Sequence, residues 1–159
     1  MLAHPAKSTR LDARECPRPG ACDRYRSVMD HERYVQIAHE ADAAFGDGRH
    51  DEAARTFQDL VRSSALPDMD RSVMAINLAT VLQKMGADPR QIEWAFDQGI
   101  ALERRWYRGN VREHKAAWLA QEGRTTEAAA LYQQLLTEGW ASSGERSRWQ
   151  RNVTALAPR

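Results

Sequence analysis

Histidine is the side chain best suited to acid-base chemistry or metal binding at neutral pH. His39 is followed by Glu40, yet no second histidine stands four residues after the first, so the helical zinc motif of metalloproteases is absent. The segment GADPRQ lacks the Lys-Ser/Thr ending of a phosphate-binding loop, and no serine lies in a Gly-x-Ser-x-Gly turn. Metal-ligand spacing is also missing between the other histidines, which include His31, His50 and His114. These patterns predict a protein that is not an enzyme and that binds neither a metal nor a cofactor.

Cys16 and Cys22 are the only cysteines, and both precede the first clear helical pattern. Two thiolates fill half of a tetrahedral zinc site, and no neighbouring pair of histidines completes it. A disulfide would require an oxidising compartment, which nothing else in the sequence indicates. Free thiols are therefore the favoured interpretation.

The overall composition is that of an ordinary globular protein with one domain. The chain has 159 residues and a formal net charge of +1, so no strong field attracts it to nucleic acid or to anionic lipid. No apolar stretch approaches the roughly 20 residues of a membrane span, and the N-terminus lacks the apolar core of a signal peptide. A cytoplasmic protein without membrane contact is expected.

Residues 1–28 differ in composition from the rest of the chain. They contain six Lys or Arg against three Asp or Glu, three prolines and no helical stripe of apolar residues. Such a segment buries too little apolar surface to offset its ordering entropy. We expect a flexible tail over 1–28 and a helical domain over 29–159, or else a start of translation at Met29.

Apolar residues with a helical period continue from residue 30 to the end, and no useful window alternates with period two. Asp30 is the expected N-cap of the first helix, and the third is expected to begin after Asp70. Asp88 with Pro89 predicts the start of the fourth helix. A capping box of Ser142 and Glu145 predicts a seventh helix. The sequence thus predicts an all-α fold of three helical hairpins and a C-terminal helix.

The second helix of each hairpin follows a shared plan. A glycine is followed five or six residues later by a small or medium apolar residue and then, four residues on, by an aromatic residue. The three sets are Gly48, Ala53 and Phe57; Gly86, Ile92 and Phe96; and Gly123, Ala128 and Tyr132, repeating every 36 to 39 residues. In this plan residues 33–138 resemble the tetratricopeptide repeat family, most closely in EGRTTEAAALYQQLL. The resemblance implies a helical solenoid of about three repeats, with the seventh helix as its cap.

The resemblance also implies a function, because the first helices of such hairpins line a concave groove that receives a protein segment. The chain is then a protein-protein interaction module, acting as an adaptor, chaperone or assembly factor. The alternative is that these residues form only the solvated faces of amphipathic helices. The residues expected to line the groove are His39, Asp42, Asn77, Thr80, Lys84, Asn110, Glu113, His114 and Gln121.

One subclass of the family grips a C-terminal carboxylate with lysine, arginine and asparagine side chains. Asn77 fits that pattern, but Ala38 and Asp42 replace the first lysine and asparagine, while Asn110 and His114 replace two cations. A carboxylate would meet Asp42 with few positive charges to hold it, so carboxylate binding of this kind is not expected.

A rival function rests on the segment Arg104–Arg108, which interleaves basic and aromatic residues. Such a segment can hold phosphates and stack bases, as in a nucleic-acid-binding or small-molecule-binding regulator. The favoured interpretation is simpler: cations at a helix C-terminus, followed by aromatic residues that pack into the next hairpin. Nucleic acid is therefore not the expected partner.

Overall fold

The computed structural model describes residues 21–106 and 108–157, with side chains from residue 31 onward except that of residue 105. All regular structure in these residues is helical and no strand occurs among them, which confirms the all-α prediction. In the same residues no helix is both long and apolar enough to span a membrane. The helices are α1 (Ala21–Gly46), α2 (His50–Arg62), α3 (Asp68–Lys84), α4 (Pro89–Glu103), α5 (Asn110–Gln121), α6 (Thr125–Leu136) and α7 (Ser143–Leu156), with a 3-10 turn at Arg104–Trp106.

Two predicted helix starts are wrong. Helix α1 begins at Ala21 and runs through Asp30, since residues 21–29 contain neither proline nor glycine to interrupt it. Helix α3 begins at Asp68 rather than after Asp70, because Pro67 sets the backbone for the first turn and its carbonyl accepts the Arg71 amide at 3.1 Å. The proposed tail over 1–28 stays a prediction, and both Cys16 and the side chain of Cys22 lie outside the described residues.

The three turns inside the hairpins share one backbone geometry. Each has a glycine with positive φ, at +81°, +66° and +76° for Gly48, Gly86 and Gly123. In each, the amide after the glycine donates to a carbonyl five residues earlier, which is the bond that ends a helix in a Schellman motif. These bonds are Arg49 to Ala44 at 2.8 Å, Ala87 to Leu82 at 3.0 Å and Arg124 to Leu119 at 2.8 Å. The repeat found in the sequence is therefore also a repeat of local structure.

The aromatic positions of the repeat lie in the core. Phe57, Phe96 and Tyr132 are all buried. So are the small or medium apolar residues one helical turn earlier, Ala53, Ile92 and Ala128. This spacing places both buried residues on one face of each second helix. That face packs against the neighbouring helices and so orients the second helix.

Each helix packs against the next along the chain, and α3 also touches α5. Helices α3, α4 and α5 approach closely at Gly99, where an added Cβ would lie 2.8 Å from both the Ala75 Cβ and a Val111 methyl. The main apolar core extends from α1 to α6. A second, smaller cluster joins α5, α6 and α7 around Tyr132, Leu135 and Trp149.

The last helix begins as predicted. The Ser142 hydroxyl accepts the Glu145 amide at 3.3 Å, and the Glu145 carboxylate accepts the Ser142 amide at 2.8 Å. This reciprocal pair satisfies two amides at the start of α7. Trp149 then lies buried against Trp140, in an edge-to-face arrangement with ring centroids 6.1 Å apart. Helix α7 thus covers the apolar side of α6.

Candidate functional site

The shared turn geometry provides a register that relates α1, α3 and α5. Counting back from each positive-φ glycine, His39, Asn77 and His114 are equivalent, each nine residues before its glycine. Asp42 and Thr80 occupy the equivalent position one turn further on. Most of the nine predicted groove residues therefore fall on matching positions of three first helices.

Most of these side chains are free to meet a partner. Thr80 and His114 bond back to carbonyls of their own helices, at Ile76 (3.0 Å) and Asn110 (2.7 Å). Within the described residues the others, apart from Glu113, make no side-chain hydrogen bond or ion pair. This unengaged set consists of His39, Asp42, Asn77, Lys84, Asn110 and Gln121, all of them exposed except the half-buried Asn77.

Glu113 already has a partner in α7. Its carboxylate accepts from Arg148 Nε at 2.6 Å and from Arg148 Nη2 at 2.8 Å. Burial alone would raise the pKa of Glu113, but the hydrogen bonds from Arg148 outweigh it and hold that pKa below its ordinary value. Any segment that binds Glu113 would have to displace Arg148, so Glu113 is better placed to position α7 than to contact a partner.

The sequence interpretation missed the apolar part of this face. Val35 and Val73 stand at positions equivalent to Asn110, thirteen residues before their glycines, and both are exposed. Met69, one helical turn before Val73, is exposed as well. The repeat register could have identified these two valines, because an apolar residue that recurs at an exposed position does not contribute to the core. The face thus combines apolar and polar groups.

A buried cluster of charges fixes the start of α5. The carboxylate of Glu103 accepts the amides of Val111 (2.7 Å) and Arg112 (3.2 Å), and also Arg112 Nε at 2.9 Å. Arg112 donates further to Glu138 at 2.5 Å and to the Arg108 carbonyl at 2.8 Å. The side chains of Glu103 and Arg112 are 1% and 2% exposed. This cluster positions the helix that carries Asn110 and His114.

The electrostatics of the cluster follow from its burial. Loss of solvent raises the pKa of the Glu103 carboxyl, and the bonds from Arg112 and the Val111 amide act against that rise. The Arg112 hydrogen bond lowers the pKa of Glu138. Removal of Arg112 would therefore leave a buried carboxylate without its countercharge.

The Arg104–Arg108 cluster is only partly described. Trp106 is 50% exposed, and Arg104 and Arg108 are exposed. The interpretation in which its aromatic residues pack into the next hairpin is therefore wrong for Trp106. Tyr107 and the Arg105 side chain lie outside the described residues.

In the described part of the chain, no three His, Cys, Asp or Glu side chains stand together as a metal-ligand set. Neither a protein-family model, nor a curated protein, nor a solved structure shows a match to this sequence. Inferences about function therefore depend on the geometry of the chain itself.

Proposed function

We propose that this chain is a tetratricopeptide-like solenoid of about three repeats, closed by α7, and that it acts as a protein-protein interaction module. Three turns of one geometry, separated by 38 and 37 residues, support a stack of repeated hairpins. The covered apolar side of α6 supports a capping role for α7. The class of function is an adaptor, chaperone or assembly factor.

The observation that carries this proposal is the row of equivalent polar side chains on α1, α3 and α5, of which His39 and Asn77 make no side-chain hydrogen bond within the described residues. His39 and Asn77 recur at one position, with exposed Val35 and Val73 one turn before them. Amide and imidazole groups suit the backbone of an extended segment, and the valines suit its apolar side chains. With Asp42 on this face, a partner segment that presents a free carboxylate there is not expected.

The test is capture of the partner combined with site-specific crosslinking. A photo-crosslinking residue at Thr80 should trap one defined protein from native lysate, whereas the same residue at Gln133, exposed on α6, should not. The groove variant Asn77→Ala, Lys84→Ala, His114→Ala should lose that protein. A matched variant at other exposed positions, Gln98→Ala, Gln133→Ala, Arg151→Ala, should retain it. Equal loss in both triple variants, or equal crosslinking at both sites, would overturn the groove assignment.

The exposure of Trp106 favours a second candidate, a regulator that binds nucleic acid or a small molecule through Arg104–Arg108. A half-exposed tryptophan between arginines is a stacking platform for a base. If nucleic acid is recovered with the wild type and lost only in the variant Arg104→Ala, Arg105→Ala, this second function replaces the first.

A further inference from the structure

Helices α2 and α4 leave an open cleft of about 560 Å³ between them, above α3. Its floor is apolar, formed by Ala54 of α2 and by Leu78 and Leu82 of α3. On α3 these leucines lie on a different face from Thr80 and Lys84, so the cleft is separate from the proposed groove. The walls carry Gln58, Gln91 and Trp94, together with charged side chains.

The charged side chains of this cleft are strongly biased towards one sign. Arg55, Arg62 and Arg90 line it, against the single carboxylate of Asp51. None of the three arginines has an ion-pair partner among the described residues, although Asp51 stands four residues before Arg55 on the same helix. The arginines that stabilise the fold behave differently, since Arg112, Arg124 and Arg148 each bind carboxylates. Three unpaired guanidinium groups around one cavity indicate a site for an anion.

The position of Arg62 is fixed by an aromatic ring. Its guanidinium carbon lies 5.4 Å from the centroid of the Trp94 ring, within the range of a cation-π interaction. A guanidinium stacked on a ring still presents its N–H donors at the edge, so Arg62 is already oriented to bind a carboxylate. Arg90 stands in the first turn of α4, where the N-cap carboxylate of Asp88 accepts the Arg90 amide at 2.8 Å, while the Arg90 guanidinium has no ion pair among the described residues.

We propose that this cleft binds an acidic protein segment that places an aliphatic or aromatic side chain on Leu78 and Leu82 and its carboxylates on Arg55, Arg62 and Arg90. Each part of the cleft has a counterpart in such a segment: leucines for an apolar side chain, glutamine amides for the peptide backbone, arginines for carboxylates. A nucleic acid fits less well, because its phosphates have no use for an apolar floor and Arg62 already covers one face of Trp94. Residues 1–28 do not suit the site, since they carry six Lys or Arg against three Asp or Glu.

The proposal is tested with a display library of random twelve-residue peptides panned against the full chain. Two variants of equal charge serve for comparison. The cleft variant is Arg55→Ala, Arg90→Ala, which leaves Arg62 on Trp94, and the control variant removes two other exposed arginines without an ion pair in the described residues, Arg33→Ala, Arg151→Ala. Circular dichroism checks that both remain folded. If the cleft variant unfolds, Arg55→Gln, Arg90→Gln replaces it, with Arg33→Gln, Arg151→Gln as its control.

The expected result is enrichment of peptides that combine glutamate or aspartate with leucine or an aromatic residue. The best peptide should bind about tenfold or more weakly to the cleft variant, with the control variant close to wild type, and should shift the Trp94 indole signal in NMR spectra. Replacing its acidic residues by glutamine, or its apolar residues by serine, should each weaken binding. Salt should weaken it as well.

Four results would overturn the proposal. They are enriched peptides without acidic residues, absence of cleft-dependent binding, equal loss in the control variant, and tighter cleft binding of a single-stranded oligonucleotide or of AMP. Self-association in size-exclusion chromatography that is lost only in the cleft variant would replace the peptide by a second copy of the chain. None of these results bears on the groove formed by α1, α3 and α5, which is tested separately.

Discussion

The chain uses one kind of connection inside its hairpins and another between them. Inside a hairpin, a glycine with positive φ ends the first helix, as at Gly48, Gly86 and Gly123. Between hairpins, an arginine in the first turn of the next helix reaches back to the connection or to the helix before it. Arg71 donates to the Val61 carbonyl at 2.8 Å, and Arg146 donates to the Glu138 carbonyl at 2.8 Å.

The middle arginine, Arg112, is the most deeply buried of the three, and its side chain binds the carboxylates of Glu103 and Glu138. The two kinds of connection meet different structural requirements. A glycine reverses the chain at low conformational cost, so the turn needs no help from distant residues. The connections between hairpins are longer, and their carbonyls need donors from elsewhere. Arginine supplies several donors at once. The hairpins are thus local units, whereas their stacking order depends on a few side chains that reach between them.

The largest effect is expected at the buried connection. Arg112→Ala should lower the free energy of unfolding by about 3–5 kcal/mol, because Glu103 would stay buried without its countercharge. Urea denaturation followed by circular dichroism measures this change. Arg124→Ala is the matched control: Arg124 also contacts two carboxylates, Glu93 and Glu127, but at the surface, so its loss should lower the free energy of unfolding far less. Similar costs for both variants would show that the buried cluster does not join the hairpins.

The second prediction concerns the main apolar core, which lies between the helices that both kinds of connection join. Phe96→Ala should also cost about 3–5 kcal/mol, because a buried ring is replaced by a cavity next to Trp118, whose ring centroid lies 5.8 Å away. Thermal and urea unfolding measure the loss. Leu131→Ala, at a partly buried position, should cost less. A Phe96→Ala variant that melts like the wild type would show that the repeat register is wrong.

The same contrast explains how much of the molecule could be predicted from its sequence. Glycine turns and buried aromatic residues recur at 36 to 39 residues, so periodicity alone indicated them. Arg71, Arg112 and Arg146 recur at 41 and 34 residues, and arginine is common throughout the chain, so no spacing distinguished them. Their partners are set by tertiary packing, which the sequence does not display.

The candidate sites divide in the same way. The polar positions of α1, α3 and α5 follow from the repeat, and so could be named in advance. The cleft between α2 and α4 depends on how far two helices diverge, and its arginines stand at unrelated positions of their repeats. The pairing of Glu113 with Arg148 likewise joins α5 to α7 across 35 residues. Such features belong to packing between elements rather than to patterns within them.

The third prediction concerns the turns inside the hairpins. Gly86→Ala should cost about 1–2 kcal/mol, because an L side chain is strained at a φ of +66°. No neighbour lies within 4 Å of the added Cβ, so the cost is that of the backbone alone. Gly144→Ala is the control, since Gly144 lies in α7 with equal space and no positive φ, and should be neutral or stabilising. Equal behaviour of the two variants would contradict the turn geometry.

The smallest effect is expected at the Glu113–Arg148 ion pair, which joins α5 to α7 and is more exposed than the buried pair of Glu103 and Arg112. The pKa of Glu113 is lowered in the folded state, so its contribution to stability is complete above its unfolded pKa of about 4.3 and is lost as pH falls through the folded value. Arg148 is 47% exposed, so the contribution should be about 1 kcal/mol or less and should shrink in 1 M salt. Urea unfolding from pH 7 to pH 3 should show Glu113→Gln less stable than wild type at pH 7, with the difference shrinking as the pH falls towards 3. Glu122→Gln, at an exposed carboxylate without an ion pair in the described residues, should follow the wild type throughout. A Glu113→Gln curve parallel to the wild type at every pH would mean that α7 is held by Trp149 packing alone, and that the charge pair contributes nothing to the end of the stack.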